Sequence, residues 1–266
     1  MNLATLERRL TTLAARLQSP AASLTAMEVA RRAGIAPDPW QADVLTSNAR
    51  QIVLLCSRQS GKSTTTAILA THQAVSVPDS LTLIFSPSLR QSNELYLKVR
   101  STLAAVGGDA PEALEENATT LRLANGSRVI SLPGSEKTTR GYSAPNLVIE
   151  DEAARVDDDL YQAIRPMLAT SRGRHVMLSS PFGARGHFHE VWQRGGPAWL
   201  RVKVTAHDVP RIDPVWLAAE RAAIGDWWFQ QEYLCLFRDA IDSAFRGEDI
   251  DAMADTGIVP LFGRVA

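Results

Sequence analysis

The period of the hydrophobic positions changes repeatedly along the chain, and each change marks an element. Leu3, Leu6, Leu10, Leu13 and Leu17 recur at helical spacing, which predicts an amphipathic helix over 3–18 that packs on the domain or on a partner. Ser19-Pro20 ends it, and 20–23 is a short linker. Residues 27–35 read as a helix and turn, and Trp40-Gln41 opens another helix through Val44 and Leu45. Gln51–Leu55 is a short apolar run of the buried-strand kind, followed by a helix at about 61–76. Next come a strand at Leu81–Phe85, a helix over 88–105, and a β-hairpin over Leu121–Ile130 with Asn125-Gly126 as its two-residue turn. Residues 134–146 form a Gly/Ser/Pro loop, and Leu147–Ile149 is a short buried strand running into Glu150-Asp151-Glu152. A helix over 157–169 and a strand at His175–Ser179 follow. Gly183 and Gly186 then break a loop before a helix around His189–Arg194, and Leu200–Thr205 alternates as a strand. Asp213-Pro214 starts a helix with Pro in its first turn, and 226–237, rich in Trp and Phe, reads as helical and buried.

Strands alternate with helices from 51 to 205, which predicts an α/β fold: a mainly parallel sheet flanked by helices on both faces. The expected organisation is a helical N-terminal segment over 1–35, the main domain over 36–240, and a tail or linker over 241–266.

Composition narrows the function classes. The chain of 266 residues has a net charge of -1, so no global positive field draws it onto nucleic acid. Any DNA contact must come from a local patch, for which Arg100, Arg122, Arg128 and Arg174 are candidates. The two cysteines, Cys56 and Cys235, make no disulfide framework. No uncharged apolar run reaches the ~18 residues of a membrane span. Glu7, Arg8, Arg9 and Arg16 interrupt any secretory apolar region, so a soluble intracellular protein is expected.

The chemistry centres on Ser57-Arg58-Gln59-Ser60-Gly61-Lys62-Ser63-Thr64, which lies between a predicted strand and a predicted helix. This is the P-loop pattern G-x-x-x-x-G-K-[ST], with Cys56 where the first Gly is expected. Gly61 lets successive N–H groups turn towards an anion, and the helix N-terminus adds partial positive charge. Lys62 can reach the β- and γ-phosphates of ATP, and Ser63 can hold Mg²⁺. Gln41 either reads an adenine edge through its two-sided amide or is an exposed helix residue.

Asp151-Glu152, at the end of a strand about 90 residues further on, gives the other half of an NTP site. The Asp can orient Mg²⁺ and the Glu can polarise the attacking water. Glu150 is expected to be structural or paired.

Taken together, Trp40-Gln41 and the stretches 57–63, 86–92, 138–153 and 177–183 resemble the ATPase domain of viral large terminases. The most specific parts are Arg58-Gln59 in the P-loop, Arg140-Gly141 before the acidic strand, and Ser179-Ser180-Pro181 at the end of the next one. The resemblance covers about residues 36–240. It implies an ASCE/RecA-like P-loop ATPase that drives double-stranded DNA into a procapsid. By motif, Gln41 would contact adenine, and Arg58–Ser63 would hold the phosphates and Mg²⁺. Asp151 and Glu152 would be the metal and water residues, and Ser179-Ser180-Pro181 the coupling motif. Arg140 would be an arginine finger offered to a neighbouring subunit, or a surface Arg paired with Glu136. The resemblance further implies a portal protein and a small terminase subunit as partners, a homo-oligomeric ring when assembled, and the host cytoplasm as the location.

The family's large subunit usually carries a C-terminal nuclease with two metals. Asp239, Asp242, Glu248, Asp249, Asp251 and Asp255 lie in one short stretch rather than on separate strands, so no nuclease activity is expected from this chain. Other candidates are a metal site at His187-x-His189 with Asp208, against loop and helix-start histidines, and base stacking by Trp227-Trp228, against a core role. Cys56 could be oxidisable beside Lys62 and Arg58. Two other functions stay open: another P-loop motor such as a helicase, and a non-hydrolysing DNA-binding module built on the helix-turn-helix-like 27–35.

Overall fold

The computed structural model describes residues 24–139 and 141–238. The predicted helix over 3–18, the tail over 241–266 and Arg140 lie outside the described residues.

Two short helices lead in. Helix α1 (Ala26–Arg32) starts at Thr25, whose hydroxyl accepts from the Glu28 N–H while the Glu28 carboxylate accepts from the Thr25 N–H, a reciprocal cap. Helix α2 (Pro39–Thr46) has Pro at its first position, where a missing N–H costs nothing. The chain then alternates: β1 (Gln51–Cys56), α3 (Lys62–Ser76), β2 (Leu81–Ser86), α4 (Leu89–Val106), β3 (Ala113–Glu116), β4 (Thr120–Leu123) and β5 (Arg128–Pro133). After α5 (Glu136–Thr139) come β6 (Leu147–Asp151), α6 (Asp158–Ser171), β7 (Arg174–Ser179), α7 (Gly186–Arg194) and β8 (Trp199–Val204). Helices α8 (Pro214–Ile224) and α9 (Asp226–Glu232) close the described chain. Among the described residues, no helix is long and apolar enough to cross a membrane.

Among the described residues, eight strands form one sheet in the order β3-β4-β5-β2-β6-β7-β1-β8. Along that order the strands from β5 to β8 pair in parallel, and β3, β4 and β5 add an antiparallel edge. Strands β1, β2, β6 and β7 are buried on both faces, which is why they are rich in Val, Ile and Leu rather than alternating. On one face, Ile52, Leu54, Ile84, Ile149 and Leu178 pack with residues of α1 to α4. On the other, Leu55 and Met177 meet Phe188 and Val191 of α7, while Phe85 and Val148 meet Leu160 and Ile164 of α6. The helix-and-turn at 27–35 is thus part of a core, with Val29 and Ala30 fully buried.

Strand order matters for function. β7 lies between β1 and β6, so the strand leading into the P-loop and the strand ending in the acids are not neighbours. The C-terminal ends of all three meet at one sheet edge, where open α/β sheets bind ligands.

Two expectations are corrected. The hairpin loop has three residues rather than two: Leu123 N–H donates to Ser127 O at 2.9 Å, and Gly126 sits in the left-handed region at φ 86°. A Cβ there would lie 2.0 Å from Asp79 Oδ1. Gly126→Ala should therefore cost about 1–3 kcal/mol in a urea melt; a loss below ~0.5 kcal/mol would show that the loop relaxes freely. Trp227 and Trp228 are not core. Trp227 is half-buried and Trp228 is 46% exposed, while Phe229 is buried at 2%. Successive residues on a helix are ~100° apart, so three adjacent rings cannot all face inward.

Candidate active site

The loop after β1 is held from several sides. Ser57 N–H donates to Val204 O of β8 at 2.8 Å, and Arg58 Nε donates to Glu232 Oε2 of α9 at 2.6 Å. Gln59 and Gly61 take left-handed backbone angles, at φ 59° and 94°, and Lys62 begins α3. The φ of 94° calls for glycine here, and a Cβ would also come within 2.7 Å of the Gln41 side-chain amide. The loop faces a cavity of about 820 Å³ lined by Arg58–Thr64 together with Gln41, Lys98, Glu152, Arg155 and Arg211.

Gln41 is 4% exposed and engaged. Its Oε1 accepts from Asp38 N–H at 2.8 Å, and its Nε2 donates to Thr65 Oγ1 at 3.0 Å. The amide therefore ties α2 to the start of α3 as well as lining the cavity.

Glu152 follows β6 in a left-handed conformation, φ 53°. Its carboxylate lies between two partners: Lys62 Nζ is 3.3 Å from Oε1, and Ser179 Oγ donates to Oε2 at 3.4 Å. Loop, acid and the end of β7 thus meet at one carboxylate. Asp151 sits behind it, 7% exposed, and accepts from Glu152 N–H at 3.1 Å. Burial, then the charge of Glu152, pushes the Asp151 carboxyl up to about 7, against the opposing pull of Lys62 and Lys98. Ser57, Ser179, Ser180 and Pro181 are buried as well.

The oxygen donors at this end of the sheet are of the kind that suits magnesium. Asp151 is a buried carboxylate whose charged form is disfavoured by burial and by Glu152, and Ser63 is one of the residues that line the cavity. Hard oxygen donors of this kind suit Mg²⁺, and its charge would favour the ionised acid.

The model of the family "Terminase large subunit, T4likevirus-type, N-terminal" matches residues 53–252. The chain belongs to this family. In structure it is similar to the large terminase ATPase domain of Thermus phage P74-26, at 23% identity and a TM-score of 0.66, covering 78% of this chain and 96% of that one. It is also similar to a large terminase of a thermophilic bacteriophage in complex with ADP, at 12% identity and a TM-score of 0.64, covering 76% of this chain and 54% of the other. For the HK97 bacteriophage large terminase the values are 15% and 0.63, with 77% and 51% covered. The chain spans about half the length of these last two. At such identities the likeness shows the fold, a mostly parallel sheet flanked by helices.

For this family member, several site residues were not legible beforehand. Arg211, in the segment before α8, makes a two-point pair with Asp38, both contacts at 2.8 Å, and donates to Ser60 O at 3.3 Å. Its partners are remote in sequence, so no local pattern announces it. Glu232 binds Arg58 and lies 4.0 Å from Arg155, whose guanidinium sits 3.9 Å over the Phe182 ring. Arg155 follows the acid pair by three residues, which is the one signal the sequence offered.

Other expectations fail. His187, His189 and Asp208 do not converge: His187 binds Glu150 and Asp158, whereas Asp208 turns back to Thr205. Among the described residues no group of three or more His, Cys, Asp or Glu is placed to hold a metal ion. Cys56 is fully buried, and burial drives its thiol far above the usual range, so it is an inert core residue. Arg174 donates to the Ala49 and Ser47 carbonyls, and Arg100 pairs with Glu116, so neither is a free DNA contact. Arg122 and Arg128 are exposed and face each other across β4 and β5.

Proposed function

We propose that this chain hydrolyses ATP and forms the motor part of a large terminase, moving double-stranded DNA into a procapsid. The observation that carries this reading is the position of Glu152, which lines the cavity and lies between Lys62 of the P-loop and Ser179 of β7.

In this reading Gln41 lies on the adenine side, and the loop Ser57–Thr64 cradles the phosphates with backbone N–H groups and the Lys62 ammonium. Ser63 and Asp151 would hold Mg²⁺, which supplies charge neutralisation at the phosphates. Glu152 orients and polarises the water, and Ser179-Ser180-Pro181 relays the change at the γ-phosphate to DNA movement. Arg140 would complete the site of a neighbouring subunit in a homo-oligomeric ring. Residues 36–240 would be the motor domain, acting with a portal protein and a small terminase subunit in the host cytoplasm, and without nuclease activity of its own.

The test is ATP turnover by the wild type and Lys62→Ala, with and without double-stranded DNA, across a salt series. Turnover should require Lys62 and rise with DNA. The stimulation should fall by about tenfold or more between ~50 and ~200 mM salt, because phosphate contacts release counterions. DNA binding that is sequence-specific, survives Lys62→Ala and comes with no turnover would favour a binding module instead.

A further inference from the structure

Glu150 is the first of three consecutive acids, and strand alternation turns it away from the nucleotide face that Asp151 occupies. It is completely buried, yet both of its oxygens are used. Oε1 faces His175 Nε2 at 2.5 Å, and Oε2 faces His187 Nε2 at 2.9 Å. His187 continues the chain of contacts. Its Nδ1 lies 3.0 Å from Asp158 Oδ1, and its backbone N–H donates to the same oxygen at 2.6 Å.

Both ring nitrogens of His187 face carboxylate oxygens, so a ring with hydrogen on both nitrogens can donate on both sides. Two facing carboxylates favour the imidazolium form of this ring. Burial opposes that charge, but the hydrogen bonds to Glu150 and Asp158 raise its pKa above the ordinary histidine value. Tyr161 of α6 stacks on the His187 ring at 5.0 Å and 11°.

The position of this bridge is what gives it consequence. His175 lies on β7, which ends at Ser179, and His187 lies in the first turn of α7. The segment 180–185 joins them. Its entry strand and its exit helix are therefore tied to one carboxylate, and that carboxylate is the chain neighbour of Asp151. A well-packed apolar cluster would anchor α7 at least as firmly as buried charges do. What charges add is direction: one geometry satisfies all of them.

We propose that His187 is a positioning residue whose charged bridge from Glu150 to Asp158 holds the 179–186 segment in register with the catalytic acids. The inference rests on the ATPase reading. Loss of the bridge slows hydrolysis and leaves nucleotide binding intact, because no member of it touches the P-loop cavity.

The groove beside the bridge, about 360 Å³ and lined by Asp158, Tyr161 and Gly186, gives free imidazole a route to a ring removed from position 187. In His187→Ala, kcat should fall about tenfold with KM for ATP within about twofold. Hydrogen exchange should quicken over 180–194 while β1 keeps its protection. Millimolar imidazole should restore both. His187→Gln fills the space without the charge, so it should fold normally, show the same kcat deficit and gain nothing from imidazole. Wild-type turnover in His187→Gln, or imidazole that restores protection in His187→Ala but not kcat, overturns the proposal. If the wild type itself shows no turnover, the ATPase reading fails, and unchanged exchange over 180–194 in His187→Ala then overturns the bridge on its own.

Discussion

Glu152→Gln should lower ATP turnover by roughly 10³-fold while leaving nucleotide affinity intact. Glutamine keeps the shape that spans Lys62 and Ser179, and its amide can still accept from Ser179. It removes the negative charge that polarises water. It also frees Lys62, which loses a carboxylate 3.3 Å away and keeps its full charge for phosphate. Affinity should therefore hold or tighten as hydrolysis collapses. Single-turnover hydrolysis with a separate titration of a fluorescent nucleotide separates the two effects. A turnover loss below about tenfold would remove Glu152 from the role of base. A parallel loss of affinity would instead make it a scaffold for the loop.

The second large effect concerns Asp151 and pH. Its carboxyl is raised to about 7 by burial first and by Glu152 second. Between the unfolded value near 4 and the folded value near 7, the folded chain keeps a proton that the unfolded chain has lost. The stabilising contribution is thus complete below about pH 4 and is lost as pH rises through about 7. Without metal, the ionised acid should cost about 2–4 kcal/mol at about pH 8, after allowance for relaxation around the charge. Asp151→Asn removes that titration. The variant should be more stable than the wild type in metal-free urea melts at about pH 8, and close to it at about pH 4. Magnesium should narrow the gap by stabilising the wild type alone. Equal pH slopes for the two proteins over this range would show that water or a nearby cation already compensates the charge.

The sequence by itself determined what depends on neighbours along the chain. Gly61-Lys62-Ser63 announces a phosphate loop because a left-handed turn followed by a helix start needs only consecutive residues. The alternation of short apolar strands with helices from 51 to 205 announced a mainly parallel sheet, and the Asp-Glu pair marked a strand end. Only the tertiary structure decided what depends on distant residues meeting. Arg211 closes on Asp38 from 173 positions away, and Arg58 on Glu232 from 174. His187 pairs with two acids on other elements, which turned an apparent metal motif into a bridge. Trp228 reaches the surface because α9 has one inward face and Phe229 occupies it. Backbone turns and periodicities are local and survive in a linear string, whereas ion pairs and burial are set by which surfaces the fold brings together.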